Sequence, residues 1–112
     1  MKIAFTAKGT QWDSEMDPRF GRTEYLVIYD DDRDELTSFD NRETAQEAHG
    51  VGPKTAQKIS ELGPEVIITG NGPGGNALRL IDKLDIEVYT GAFNMTVKEA
   101  YEAFRNNSLN KS

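Results

Sequence analysis

The chain has 112 residues, too few for more than one domain, and its formal net charge of −6 opposes non-specific binding to nucleic acid or anionic membrane. It has no cysteine, which excludes disulfides, a thiolate nucleophile and thiolate-held zinc or iron–sulfur sites, and fits a reducing cytoplasm. No apolar stretch approaches the length of a membrane span, and MKIAFTAKG turns polar too soon for a signal peptide, so the expected setting is cytoplasmic.

Residues 2–7 alternate, with Ile3 and Phe5 on one face, and predict a short strand. Residues 8–22 form a long loop rich in charge and turn residues. The run YLVIY predicts a strand near 24–30 covered on both faces. A polar turn at 30–34 then joins it to a weaker strand at 35–40, so the two form a hairpin. A second polar loop spans 41–52. Pro53 suits the first turn of a helix over 53–62, which carries Ala56, Ile59 and Leu62 on one face and stops at Gly63-Pro64.

The second half repeats strand, loop and helix. Residues 65–69 predict a strand. Ala77, Leu80, Ile81 and Leu84 have the i, i+3, i+4, i+7 spacing of a helix near 74–84, and another strand follows at 86–90. Thr96 and Glu99 form a capping box for a last helix near 96–105, striped by Val97, Ala100, Tyr101 and Phe104. The domain is expected over 1–105, with 106–112 a polar tail. Right-handed crossovers make the later strands parallel to the first. The expected fold is α/β, a ribonuclease H-like three-layer arrangement with a mixed five-stranded sheet in order 3-2-1-4-5. The carboxyl ends of strands 1, 3, 4 and 5 then share one rim, with the strand order reversing between 1 and 4, where open α/β sheets bind ligands.

On that rim lies VIITGNGPGGNALRLI, in which Gly70, Gly72 and Gly75 have the spacing G-x-G-x-x-G. A dinucleotide loop needs a carboxylate at the tip of the next strand, and that strand ends Val88-Tyr89-Thr90-Gly91; Pro73 also removes an amide that would face a pyrophosphate. Two readings fit better. One is a tight turn for helix–strand packing, and the other is a backbone-lined anion or cluster pocket at a helix start, formed by Gly70, Asn71, Gly72, Gly74 and Gly75. The stretch HGVGPKTA resembles the hairpin of helix-hairpin-helix DNA-binding proteins, with Lys54 and Lys58 for phosphates, but residues 43–48 lack an apolar stripe and the chain is acidic. Nuclease chemistry would need carboxylates on the first strand, which has none. Asp13, Glu15 and Asp17 read as solvated loop charge.

The segment MDPRFGRTEYLVIYD, with Asp17, Phe20, Gly21 and Arg22, followed by His49-Gly50 before a helix and by the glycine loop, resembles the dinitrogenase iron–molybdenum cofactor-binding domain family over roughly residues 1–105. The resemblance implies a ribonuclease H-like fold. It also implies, for some members, binding or carrying of the nitrogenase iron–molybdenum cofactor or an iron–sulfur precursor cluster during assembly. Family members often carry cysteine near the rim, so this chain's candidate metal ligand is His49, whose place resembles that of a histidine implicated in cofactor binding in some relatives. His49 reads equally as a polar loop residue. Arg22 is the expected partner of an anionic group, or of Glu24 or Asp17 in a salt bridge. Phe20 is the expected anchor of the long loop. The expected function is a non-enzymatic carrier of a metallocluster or small anionic ligand, with cofactor-assembly proteins as partners and neither nucleic acid nor membrane among them. The alternative is a metal-free regulatory or protein-interaction module using the same rim.

Overall fold

In the computed structural model, which describes residues 1–112, the chain runs through β1 (Lys2–Ala7), β2 (Tyr25–Asp30), β3 (Glu35–Asp40), α1 (Arg42–Ala45), α2 (Val51–Leu62), β4 (Val66–Ile68), α3 (Gly75–Lys83), β5 (Glu87–Thr90), α4 (Val97–Arg105) and β6 (Asn110–Lys111). The strands form one mixed sheet in the order β3-β2-β1-β4-β5-β6. β1 lies antiparallel to β2, with Ala7 opposite Tyr25, and parallel to β4, with Phe5 opposite Ile68. β4 and β5 are also parallel, Ile68 facing Tyr89.

The period-2 pattern divides the core between two faces. Ile3, Phe5, Val27, Val66 and Ile68 point toward Val97 and Ala100 of α4, where Trp12, Tyr29 and Tyr101 add edge-on and tilted aromatic contacts. Ala4, Leu26, Ile28, Ile67 and Val88 point to the other face, against Ala56 and Ile59 of α2 and Ala77 and Ile81 of α3. Three layers result, as expected from the sequence. YLVIY is continuously apolar because its strand is central, with Leu26, Val27 and Ile28 all buried.

Three differences from the sequence reading have local causes. The loop over 41–52 contains the single turn α1, which has no buried residue and hence no apolar periodicity to reveal it. Helix α2 starts at Val51, two residues ahead of Pro53. Proline is still tolerated there, because the first-turn amides need no partner within the helix. The sheet has six strands instead of five. Residues 110–111, within the stretch read as a polar tail, pair antiparallel with β5 (Tyr89 opposite Lys111, Thr90 opposite Asn110), and Ser112 N–H donates to Val88 O at 2.8 Å. A two-residue exposed strand is too short to show alternation.

Candidate functional site

The carboxyl ends of β1, β3, β4 and β5 do open on one rim, since β2 alone among the first five strands runs against the others. The long loop between β1 and β2 is folded onto that rim. Its Met16 N–H donates to Met95 O, Asp17 N–H donates to Thr6 O, and Phe20 is buried in the α2/α3 face, the anchoring role expected of it.

Asp17 departs from expectation. It is completely buried, not solvated, and accepts hydrogen bonds from Arg19 N–H, Arg19 Nε and Nη2, and Glu24 N–H at 2.9–3.2 Å. A carboxylate buried this deeply is tolerable only with such complete pairing. The pairing in turn holds the Arg19 guanidinium above its ordinary pKa. The sequence signal was the D-P-R triplet, in which a carboxylate can bond the amide two residues on in an Asx-type turn. Arg22 meets neither Asp17 nor Glu24. Its Nη1 donates to the carbonyls of Ala45 (2.8 Å) and Glu47 (3.0 Å), so it ties the end of α1 to the long loop.

The glycine loop divides into a packed end and an open end. A Cβ on Gly70 would lie 2.7 Å from Pro18 Cα and 2.9 Å from the Phe93 ring, so this glycine is required by close approach of protein, not of ligand. Asn71 N–H donates to Pro18 O, and Gly91 N–H donates to Gly70 O. Gly72 would touch only the Thr90 methyl at 3.5 Å, and Gly74 and Gly75 face open space. Gly74 is the N-cap of α3 and supplies no side-chain cap; the amides of Gly72, Gly74, Gly75 and Asn76 donate to no protein acceptor. Helix α2 likewise starts at Gly50, in the left-handed region (φ 71°), without a side-chain cap. The two starts are neighbours, since a Cβ on Gly52 would be 3.6 Å from the Ala77 methyl; Gly21 of the long loop closes on the α2 start, where its Cβ would be 3.1 Å from Gly52. Small residues thus bring two uncapped helix N-termini together, both presenting unpaired amides and positive dipole ends.

His49 immediately precedes the α2 cap, is exposed, and makes no hydrogen bond. The lysines of the hairpin-like stretch are both engaged: Lys54 pairs with Glu47 at 2.6 Å, and Lys58 with Glu61 at 3.7 Å while lying over the Phe39 ring. Beside Gly70, a cleft of about 210 Å³ lies among Met16, Pro18, Phe93, Asn94 and Met95, with Phe93 44% exposed. Three carboxylates converge only at the opposite end of the sheet, where Asp30, Asp31 and Asp32 stand together. There the Met1 ammonium already binds Asp31 and Asp32 at 2.8 and 2.7 Å. The rim's donor set is therefore backbone amides, guanidinium and one imidazole, with no thiolate. Such a set fits an anionic cluster that brings most of its own ligands and needs its charge compensated; it does not fit a cluster assembled on protein thiolates.

The sequence model of the dinitrogenase iron-molybdenum cofactor family matches residues 1–107. The chain belongs to this family. Among solved structures, the apo form of the orange protein from Desulfovibrio gigas is 30% identical, with a TM-score of 0.92 over 99% of this chain and 92% of that one. A Thermotoga protein proposed to be a NifB protein is 32% identical, with a TM-score of 0.83 over 98% and 91% of the two chains. A third structure, at 23% identity and a TM-score of 0.76, shares the fold. No curated protein matches the chain. The family and these neighbours mark a small cofactor-related binding protein. No helix is long and apolar enough to cross a membrane.

Proposed function

We propose that this chain is a non-enzymatic protein that reversibly holds an anionic metallocluster, the iron–molybdenum cofactor or an iron–sulfur precursor, on the loop rim for delivery to cofactor-assembly proteins. The observation that carries this reading is the pair of adjacent helix starts, α2 and α3, that leave their amides uncapped beside the exposed His49. Amides of Gly72, Gly74 and Gly75 compensate cluster charge, and His49 supplies the one direct metal bond through a neutral imidazole nitrogen. Charge-assisted hydrogen bonds contribute about 1.5–3 kcal/mol each, so three of them give about 5–9 kcal/mol before ordering costs. Association costs several kcal/mol, so these bonds alone leave little net affinity and the His49–metal bond has to supply much of the retention. The acidic charge and the engaged lysines argue against nucleic acid as the partner.

The test is to present cluster anaerobically to wild type, His49→Ala and Arg22→Ala, and to follow co-elution by absorbance and by iron and molybdenum analysis. Wild type should retain cluster, His49→Ala should lose most of it, and Arg22→Ala should retain less because the segment before His49 is no longer tied down. No retention by wild type, or full retention by His49→Ala, would contradict the assignment. Exposed Phe93 beside Pro18 and Met95 favours a second reading, a metal-free interaction module. In that case Phe93→Ala would abolish partner capture while His49→Ala would not.

A further inference from the structure

The carrier reading leaves one buried ionisable group unused. Asp17 has no exposed side-chain surface, and every contact that neutralises it comes from residues 19–24 of its own loop. Arg19, its partner, is half out in solvent at 51% exposure. Asp17 takes the Nε edge of the guanidinium and one Nη2 proton; Nη1 meets no protein acceptor. The planar group is thus fixed along one edge and open along the other.

The same loop is fastened to the end of β4, from which the glycine loop departs. Thr6 Oγ1 lies 2.8 Å from both Asp17 O and Thr69 Oγ1, linking the segment to the residue just before Gly70. Pro18 O accepts the Asn71 N–H at 2.8 Å, and Pro18 packs so closely on Gly70 that no side chain fits there. Asp17, Pro18 and Arg19 are therefore fastened to Gly70 and Asn71, the packed end of the glycine loop. Arg22 does not share this position, since its Nη1 is bound to the carbonyls of Ala45 and Glu47.

We propose that Arg19, held in orientation by Asp17, is the side chain that recognises the anion at the glycine loop, and that it selects ligands presenting two acceptor atoms on one face, as a tetrahedral metallate or oxyanion does. This rests on the rim binding an anion, as proposed above. Asp17 is the positioning residue, and Arg22 serves the fold of the His49 segment. A fixed guanidinium fork suits paired acceptors, whereas an ammonium can supply the charge but not the fork.

The probe is sodium molybdate, titrated into ¹⁵N-labelled protein while backbone amides and arginine Nε–H signals are followed. The Gly72 and Gly74 amides and the Arg19 Nε–H should move together, and the Arg22 Nε–H should stay in place. Arg19→Lys should still fold with a lowered thermal midpoint, because lysine neutralises Asp17 but replaces two hydrogen bonds by one, and should bind about 10-fold or more weakly at a temperature where it is fully folded. If Arg19→Lys fails to fold, the double variant Asp17→Asn/Arg19→Gln, which keeps a neutral hydrogen-bonded pair, should show the same loss. Movement of the glycine amides with Arg19 unmoved, or wild-type affinity in these variants, would make Arg19 a structural counter-ion only and leave the rim reading intact. No movement anywhere on the rim would overturn both.

Discussion

Helix α4 and helices α2 and α3 cover opposite faces of one sheet, but they start in opposite ways. Thr96 caps α4, its Oγ1 accepting the Glu99 N–H at 3.1 Å while Glu99 Oε1 accepts the Thr96 N–H at 2.9 Å. Amides at that start are spent, and the face beneath is filled by Trp12, Tyr29 and Tyr101. Helices α2 and α3 start at Gly50 and Gly74 with no side-chain cap, and small residues draw them together. A glycine start forgoes a few tenths of a kcal/mol of helix stability relative to a Ser, Thr, Asp or Asn cap. That this happens twice, side by side on the loop rim, separates a helix built for stability from two that keep their dipole ends available.

The comparison can be broken most severely by giving α3 the cap it lacks. Gly74 has extended backbone (φ −68°, ψ 169°) and open space where a Cβ would stand, so Gly74→Asp should fold and gain a few tenths of a kcal/mol. Its carboxylate would take the very amides proposed for ligand and add a like charge, so cluster or molybdate affinity should fall about 100-fold or more. Thermal denaturation and a binding titration on the same sample check both halves. A smaller effect, on stability, is expected from Gly70→Ala. The new methyl meets Pro18 backbone at 2.7 Å, and overpacking of this kind costs about 1–3 kcal/mol in denaturant unfolding. Gly75→Ala, facing open space, should show no such loss. Thr96→Ala should cost about 1 kcal/mol by removing the α4 cap, with ligand binding unchanged.

The smallest effect lies at the far end of the sheet and concerns pH. The Met1 ammonium is raised from 8.0 to about 10 by hydrogen bonds to Asp31 and Asp32, and the Tyr29 phenol from 10.0 to about 12 by its bond to Asp34. Both favour the protonated form in the fold. Their stabilisation is complete below the unfolded values and is lost as pH rises through the folded ones. Melting temperature should therefore decline slightly between pH 8 and pH 12, and less so in Asp31→Asn/Asp32→Asn. The Met1 ammonium is exposed, and the half-buried Tyr29 makes its hydroxyl bond to Asp34 at the surface, so a steep decline would point to some other cause.

The fold was legible because its signals are periodic. The alternation in β1, the continuous run in β2 and the helical spacing of Ala77, Leu80 and Ile81 each depend on burial, and burial writes itself into sequence; Leu84, which shares the spacing, is exposed. The shared rim followed from strand directions alone. The roles of single polar residues did not follow. Asp17 and Arg22 are ordinary loop charges in sequence, and only tertiary contacts show that one is buried against Arg19 and the other bound to two carbonyls. Gly70 shows the same limit: the motif spacing could not reveal that the first glycine is filled by Pro18 and Phe93 while the later ones stay open.

The central claim is that ligand binds at the two uncapped helix starts, and a paramagnetic iron cluster reports position directly. Amide signals of ¹⁵N-labelled protein, compared before and after anaerobic loading, should be broadened around His49, Gly50, Gly72, Gly74 and Gly75, while those of residues 30–34 at the opposite end stay sharp. Broadening centred on Asp30, Asp31 and Asp32, or a spectrum unchanged by loading, would contradict the account.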